Sequence, residues 1–495
     1  MALSSTRSPL FFLLLAAVTV YLAACTAPLG RGYIVEKQEI QASFLALPEP
    51  HIRVVTEYHL RNTGNQNLDS LDVRLPGRRF RAADFSILWD GSPLSSAPSA
   101  ENPRDTVLRF PAAWTIGAGH TVQITYDLLS TGVQEGLFNI SSDAFALPAE
   151  GWTPTLPQAR GVFGFGGVPP NKWSLVINVP HGFLVHASGG AEKRSAKNDQ
   201  TEFRFEQTSE DLNPFVAAGR YREMHQDLPG NQRLRIWSRN DVSPAQFRQT
   251  AEALSKTIAT YDSLFLARGA SRPPLWIVEC PQSDGCISQR SFAYSSLLYG
   301  TASRGSADMI SRDTILFNQS GALSKPEALA GPALAAGWLG YGQNPGFYEQ
   351  QPPMSALPAF AAALALEASE GQHVREEIIH RALTQIPAKA SSQSENDAAI
   401  VRAKSLLLFY ALRDRVGADA FQKGIQHMLY ARRQRGFNIT DLISALEQES
   451  HQAIGPFVRQ WVKHPGISDE FRATYSQSNT RSTGQQTSAA EEATP

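Results

Sequence analysis

The first two hundred residues alternate between apolar and polar positions. Between His51 and Arg61 the even positions are mostly apolar and the odd ones mostly polar, and the run ends at the turn-forming sequence Asn62-Thr63-Gly64-Asn65. A period of two over this length predicts a β-strand with one buried face. Further strands are predicted at residues 71–75, 107–110, 121–128, 173–179, 202–207 and 216–221. Many short strands separated by turns predict a β-sandwich over residues 33–223.

Beyond residue 232 the apolar spacing becomes helical. Ser243 followed by Pro244 predicts a helix start, because a capping hydroxyl and a first-turn proline are both favoured there. Gly417 has the position of a C-terminal cap. Core strands are predicted at residues 274–279 and 314–317, and further helices at 374–386, 398–415, 419–433 and 441–449. The expected fold class is therefore α+β and multidomain, with a mostly helical second domain over residues 232–470.

The two ends of the chain differ from the folded part. Residues 10–24 form an apolar run too short for a stable membrane span, which predicts a secretory signal over residues 1–24. The run closes on Leu22-Ala23-Ala24-Cys25, which resembles the bacterial lipobox; an ordinary signal peptide with an incidental cysteine is the alternative. The resemblance implies lipid on Cys25, a linker over residues 25–32 and, because Thr26 follows, the periplasmic side of the outer membrane in a two-membrane bacterium. Residues 471–495 are too poor in apolar side chains to fold and are predicted to be a disordered tail.

Charge and cysteine content indicate which partners and which covalent links the chain is expected to have. The chain of 495 residues has 45 basic and 46 acidic side chains and a formal net charge of -1, so no nucleic-acid partner is expected. Cys280 and Cys286 flank a short Pro- and Gly-containing loop in the exported part, and we predict a disulfide between them. Two buried thiols or a metal clip are the alternatives.

Residues 324–341 resemble the first zinc-binding helix of the alanyl-aminopeptidase (gluzincin) family, which reads H-E-x-x-H-x-W-x-G. Trp338 and Gly340 stand where the family has its Trp and Gly. This register puts Pro332 and Ala336 in the places of the two zinc histidines and Ala333 in that of the general-base glutamate. The resemblance implies a thermolysin-like second domain, with a helix that starts at Pro332.

The remaining functional positions of the family are replaced as well. The register carried forward puts Ser355 at the third zinc ligand and Phe360 at the following aromatic, and Arg402 occupies the place of the transition-state tyrosine. A looser match puts Ser288 at the glutamate that binds the substrate's amino group. Because alanine and proline offer no lone pair to a metal, we expect no catalytic residue, no metal ligand and no cofactor here.

The leading hypothesis is a lipid-anchored pseudo-aminopeptidase that binds a peptide or an envelope protein in the former cleft. That cleft is expected to be lined by Ala333, Ala336, Trp338 and Ser355. Trp338 and Phe360 are interpreted as core aromatics rather than substrate contacts. One alternative is an active exported metallo-aminopeptidase whose ligands converge elsewhere near Trp338, and another is a structural envelope protein without an open cleft.

Overall fold

The protein is represented by a computed structural model. It describes residues 32–46, 48–76, 81–98, 106–129, 139–148, 151–156, 172–189, 193–197, 199–207, 214–228, 232–239, 243–266, 275–281, 294, 297–298, 307–309, 314–317, 331–339, 352–387, 397–431 and 437–476. The predictions for Cys25, Cys286, Ser288 and Gly340 lie outside these residues. Among the helices so described, none is long and apolar enough to cross a membrane.

The amino-terminal part of the chain is made of strands. Its largest sheet has eight strands in the order β13-β14-β11-β1-β2-β8-β4-β5, beside a three-stranded sheet, β3-β7-β6, and a four-stranded sheet, β12-β15-β10-β9. The strands are β1 (Tyr33–Leu45), β2 (His51–Asn62), β3 (Leu68–Val73), β4 (Arg81–Trp89), β5 (Ser92–Pro93), β6 (Ser96–Pro98), β7 (Thr106–Trp114), β8 (Gly119–Leu129), β9 (Asn139–Ile140), β10 (Ala144–Leu147), β11 (Trp173–Pro180), β12 (Leu184–Ala187), β13 (Lys193–Lys197), β14 (Gln200–Glu206) and β15 (Val216–Gly219).

The two smaller sheets cover one face of the large sheet and enclose a common hydrophobic core. In β2 the even positions are buried, as the alternation predicted. Two buried tyrosines also secure the segment that follows β10: the Tyr126 hydroxyl donates to the Trp152 carbonyl at 2.6 Å, and the Tyr58 hydroxyl donates to the Pro154 carbonyl. The amino-terminal β-sandwich is therefore confirmed.

The four-stranded sheet is buried on both faces, which explains why β10 lacks alternation. Phe145 and Leu147 pack into the sandwich core, whereas Ala144 and Ala146 pack against the next sheet along the chain. The opposing residues of that sheet include Trp237, Val278 and Leu316. A small apolar core therefore joins the two parts of the protein.

The second part combines a five-stranded sheet, β16-β17-β18-β20-β19, with helices. Its strands are β16 (Arg222–Leu228), β17 (Gln232–Ser238), β18 (Leu275–Glu279), β19 (Ala307–Met309) and β20 (Thr314–Phe317). Its helices are α1 (Pro244–Phe265), α2 (Pro332–Trp338), a 3-10 turn (Met354–Ala356), α3 (Leu357–Glu370), α4 (Gln372–Thr384), α5 (Ala398–Val416), α6 (Ala418–Ala431), α7 (Ile439–Ser450), α8 (Gly455–Lys463) and α9 (Asp469–Ser476).

Two boundaries differ from those predicted. β16 pairs along its whole length with β17, so the second sheet begins at Arg222, before the predicted end of the sandwich at residue 223 and the predicted start of the second domain at residue 232. At the other end the folded part continues to Ser476 rather than 470. Phe471 on α9 packs edge-on against Trp461, with ring centroids 4.8 Å apart, and this contact anchors a last short helix.

The predicted helix ends are confirmed. Ser243 caps α1 by accepting from the Gln246 backbone N–H at 3.2 Å, with Pro244 in the first turn. Gly417 ends α5 with φ of 84°, a conformation that a glycine adopts without strain. The helices pack on one face of the five-stranded sheet and form the largest hydrophobic core of the protein.

Candidate functional site

The helix α2 begins where the sequence predicted. Pro332 is its first residue and Gly331 is its N-cap, so the proline ring occupies a position that has no intrahelical hydrogen bond to lose. The helix packs against α1, α3 and the edge strand β19. It therefore lies between the helical layer and the end of the sheet.

Two polar contacts fix α2 on α1. The Tyr261 hydroxyl donates to the Gly331 carbonyl at 3.4 Å, at the start of α2. At the other end, Nε1 of Trp338 donates to Oδ1 of Asp262 at 3.0 Å, while the Trp338 ring meets the Tyr261 ring edge-on with centroids 5.5 Å apart. Trp338 therefore packs against α1 and holds the helix in place, in line with its interpretation as a structural aromatic.

The two faces of α2 differ in burial. Leu334 and Ala335 are fully buried in the helical core. On the other face Pro332 is half-buried, and Ala333 and Ala336 retain 9% and 7% of their exposure. The residues assigned by resemblance to the ligand positions thus lie on the less buried face. That face carries methyl and methylene groups and no side chain that can form a hydrogen bond.

The other assigned positions come from the next segments of the chain. Ser355 is half-buried in the 3-10 turn, which packs against α5, the helix that carries the half-buried Arg402. Phe360 lies in the core and contacts the rings of Phe409 and Phe421 at centroid distances of 5.6 and 5.5 Å. Its position agrees with the interpretation as a core aromatic.

This donor set does not fit a zinc ion. A catalytic zinc needs three nitrogen, sulfur or carboxylate ligands, and Pro332, Ala333 and Ala336 supply none. The Ser355 hydroxyl is a single neutral oxygen. Within the part of the chain that the structure describes, the side chains close enough together to hold a metal are Glu39, Glu57 and His59. These belong to the sandwich and not to α2.

A charged cluster that the sequence analysis missed stabilises the far end of α3. Arg375 contacts both carboxylate oxygens of Asp414, at 2.7 and 2.6 Å, and lies over the Tyr410 ring. A second pair joins Arg413 to Glu367 at 3.3 Å. Burial raises the pKa of Tyr410, and the charge on Glu367 raises it further, so this tyrosine remains a neutral phenol. The charges are matched in pairs, which indicates a structural role.

The last described strand of the second sheet lies beside α2. β19 pairs antiparallel with β20 and is the last strand of its sheet among the described residues. A strand of three residues is too short to show a period in sequence, and it was missed for that reason. β19 therefore brings strand backbone close to α2, the helix that carries the assigned ligand positions.

Solved structures with a similar architecture identify the fold. The crystal structure of the M1 zinc metallopeptidase from Deinococcus radiodurans is similar over 88% of this chain and 96% of that chain, with 15% identity and a TM-score of 0.56. A glutamate-to-alanine mutant described as the same organism's enzyme gives 14% identity and a TM-score of 0.58, with the same coverage. Such a mutant bound to a Tyr-Ser-Ala substrate gives 15% and 0.57.

These similarities establish the architecture. The α+β multidomain fold with a β-rich amino-terminal domain is confirmed. No protein-family model matches the chain, and no curated protein matches it. The likeness is therefore one of fold, at low sequence identity.

Proposed function

We propose that this protein is a lipid-anchored, catalytically inactive relative of the M1 zinc peptidases that binds extended peptide segments in the cell envelope. One observation carries the proposal: α2, whose less buried face carries no metal ligand, packs beside β19, the last strand of its sheet among the described residues. The peptidase-type fold supports a peptide as the ligand.

An extended peptide would bind by adding a strand to β19. Backbone hydrogen bonds to Ala307–Met309 would hold it, since an unpaired strand edge is a ready template for another strand. Its alternate side chains would then face α2, which carries the small side chains of Ala333 and Ala336. A solved neighbour is described as bound to a Tyr-Ser-Ala substrate, which supports a short peptide as the class of ligand.

Hydrolysis is not part of the proposal because the residues assigned to it lack the chemistry. A zinc peptidase activates water on the metal and uses a general base. Proline and alanine at 332, 333 and 336 can do neither. Retention of the fold without these groups leaves binding as the function that the site can perform.

Membrane attachment through Cys25 completes the proposal. The signal-like segment of residues 1–24 and the lipobox-like sequence support export and acylation. Triacylation of one cysteine supplies the several acyl chains that stable anchoring needs. The peptide site would then face the compartment outside the inner membrane.

The test compares binding with hydrolysis on the detergent-solubilised full chain. Fluorescently labelled peptide libraries with apolar side chains should give saturable binding by anisotropy, and the peptides should remain intact after prolonged incubation with zinc. Ala336→Leu, which enlarges a side chain of the less buried face of α2, should weaken binding at least tenfold. Ala418→Leu, at an exposed helix start, is the matched control and should leave binding unchanged. Peptide cleavage that a chelator abolishes would refute the proposal, as would equal binding by both variants.

A further inference from the structure

Three side chains of types that commonly bind metals lie close together on the outer face of the eight-stranded sheet. Glu39 on β1 is paired directly with Glu57 on β2, and Lys37 is paired with His59. His59 therefore lies diagonally across from Glu39 and two residues from Glu57 on the same face. β2 is held on its other side by β8, so the three positions are fixed by a continuous sheet.

The distances between the ligand atoms suit one metal ion. Nε2 of His59 lies 3.3 Å from Oε1 of Glu57 and 3.8 Å from Oε1 of Glu39. The ligand atoms of all three residues lie within 4.8 Å of one another. In a tetrahedral zinc site with bonds of about 2.0–2.1 Å, neighbouring ligand atoms are about 3.3 Å apart. Small side-chain rotations are enough to reach that arrangement.

The imidazole nitrogen at the centre of the group has no hydrogen bond among the described residues. Nε2 of His59 is shielded from solvent, and its position near Glu57 lacks the alignment of a hydrogen bond. Two carboxylates directly opposite each other on neighbouring strands also repel. A divalent cation between them would remove the repulsion and give the buried nitrogen a partner.

One neighbouring side chain orients the Glu57 carboxylate, and another would compete with a metal ion for the Glu39 carboxylate. Gln123 on β8 donates to Oε2 of Glu57 at 3.1 Å, which orients that carboxylate and leaves Oε1 facing His59. The Lys37 ammonium contacts Oε1 of Glu39. Lys37 is exposed on a flexible stem, so a divalent ion can displace it at the cost of one surface ion pair, and such pairs contribute little to stability.

We propose that Glu39, Glu57 and His59 form a zinc site on the sandwich, with the fourth position open to water. One imidazole and two carboxylates suit Zn²⁺ better than Mg²⁺ or Ca²⁺, which prefer oxygen ligands alone. The site belongs to the amino-terminal sheet, so it is independent of the proposed peptide binding at α2.

The experiment measures zinc binding by the full chain, purified in detergent without a polyhistidine tag and freed of metal by a chelator. Isothermal titration should show a zinc site that His59→Gln weakens at least tenfold. Glu39→Gln should weaken it similarly. Lys37→Met, which removes the competing ammonium, should strengthen it. His51→Gln, at the start of the same strand, is the matched control and should bind zinc as the parent does.

The unfolding midpoint of each metal-free variant shows whether the substitution itself has disrupted folding. The parent should gain thermal stability on adding zinc, and His59→Gln should lose that gain while keeping the metal-free midpoint of the His51→Gln control. Equal zinc affinity in the parent and His59→Gln would overturn the proposal. Competition by magnesium at concentrations similar to zinc would overturn the assignment of the metal.

Discussion

The indole Nε1 of Trp338 donates a hydrogen bond of 3.0 Å to Oδ1 of Asp262, and this bond joins the last turn of α2 to α1. Asp262 is half-buried, so its loss leaves an indole donor without its partner in a site of low solvent access. We expect Asp262→Ala to lower the free energy of unfolding by about 1–2 kcal/mol. Urea denaturation of the solubilised full chain measures this.

Asp262→Asn is the matched variant because an amide oxygen can still accept from Trp338. It should lose less stability than Asp262→Ala. Peptide affinity should follow the same order, since α2 is displaced when its attachment fails. Equal stability of the two variants would show that the hydrogen bond does not hold the helix.

Arg239 is predicted to stabilise the junction between the two parts of the protein. Its guanidinium contacts both carboxylate oxygens of Asp143, at 2.9 and 2.8 Å, and it also donates to the Pro281 carbonyl. A charge-assisted contact at a partly buried junction is stronger than an exposed surface pair. Arg239→Ala should therefore lower the unfolding temperature and separate the calorimetric transition into two.

The control for the junction is Arg233→Ala. Arg233 pairs with Asp227, and both side chains are largely exposed. This substitution should change the unfolding free energy by no more than about 0.5 kcal/mol. A single unchanged transition in Arg239→Ala would show that the apolar core between the sheets joins the two parts without help from the ion pair.

Acid should remove a contribution to stability from Asp127. A hydrogen bond from Arg53 lowers the pKa of the Asp127 carboxyl below its ordinary value; burial opposes this shift, and the Arg53 charge adds to it. Because the pKa is lower in the folded state, the stabilisation is present above the unfolded pKa of about 3.9 and is lost as the pH falls through the folded pKa. Arg53 is half-exposed, so the contribution should be about 1 kcal/mol or less.

The measurement is the free energy of unfolding between pH 7 and pH 2. Asp127→Asn and Arg53→Met should each lower stability at pH 7 and make it less sensitive to acid. The double variant should cost less than the sum of the two single changes, because both remove the same interaction. Additive effects would show that the pair, joined by two bonds of 2.9 Å, does not act as a unit.

Cys25 should determine membrane attachment. With the parent sequence, metabolic labelling with a fatty-acid analogue should mark the protein, and the protein should sediment with membranes. Cys25→Ser should abolish the label and release the protein into the soluble fraction. Cys280→Ser tests whether the effect is specific to the lipobox-like position, and it should leave the label unchanged. Labelling that survives Cys25→Ser would contradict the proposed anchor.

The alternation of apolar and polar residues predicted β2 but not β1, because the buried positions of β1 change from odd to even along the strand. The pairing register of β1 shifts between Val35 and Lys37. The buried side chains therefore change from odd positions, Tyr33 and Val35, to even positions such as Ile40. A search for a strict period of two finds two weak halves in place of one strand of 13 residues.

The sequence predicts those features of the candidate site that depend on residue type alone. The absence of metal ligands from α2 follows directly from the residues at Pro332, Ala333 and Ala336. The position of β19 beside α2 depends on the assembled sheet. The proposed zinc site needed the register between β1 and β2, because Glu57 and His59 are neighbours in sequence whereas Glu39 comes from another strand.

The register assigned to α2 can be tested by grafting ligands onto it. If Pro332, Ala336 and Ser355 occupy the former ligand positions, the combined substitutions Pro332→His, Ala336→His and Ser355→Glu should create a zinc site.

The graft is made in the His59→Gln background so that binding at the sandwich does not interfere. Isothermal titration should show zinc binding at least tenfold tighter than in the His59→Gln parent. The same graft without Ser355→Glu is the control, and it should bind more weakly because a two-ligand site is incomplete. A folded triple graft with no gain in zinc affinity would show that the small side chains of α2 do not surround a former metal position. That result would contradict the proposal of an inactive peptidase relative.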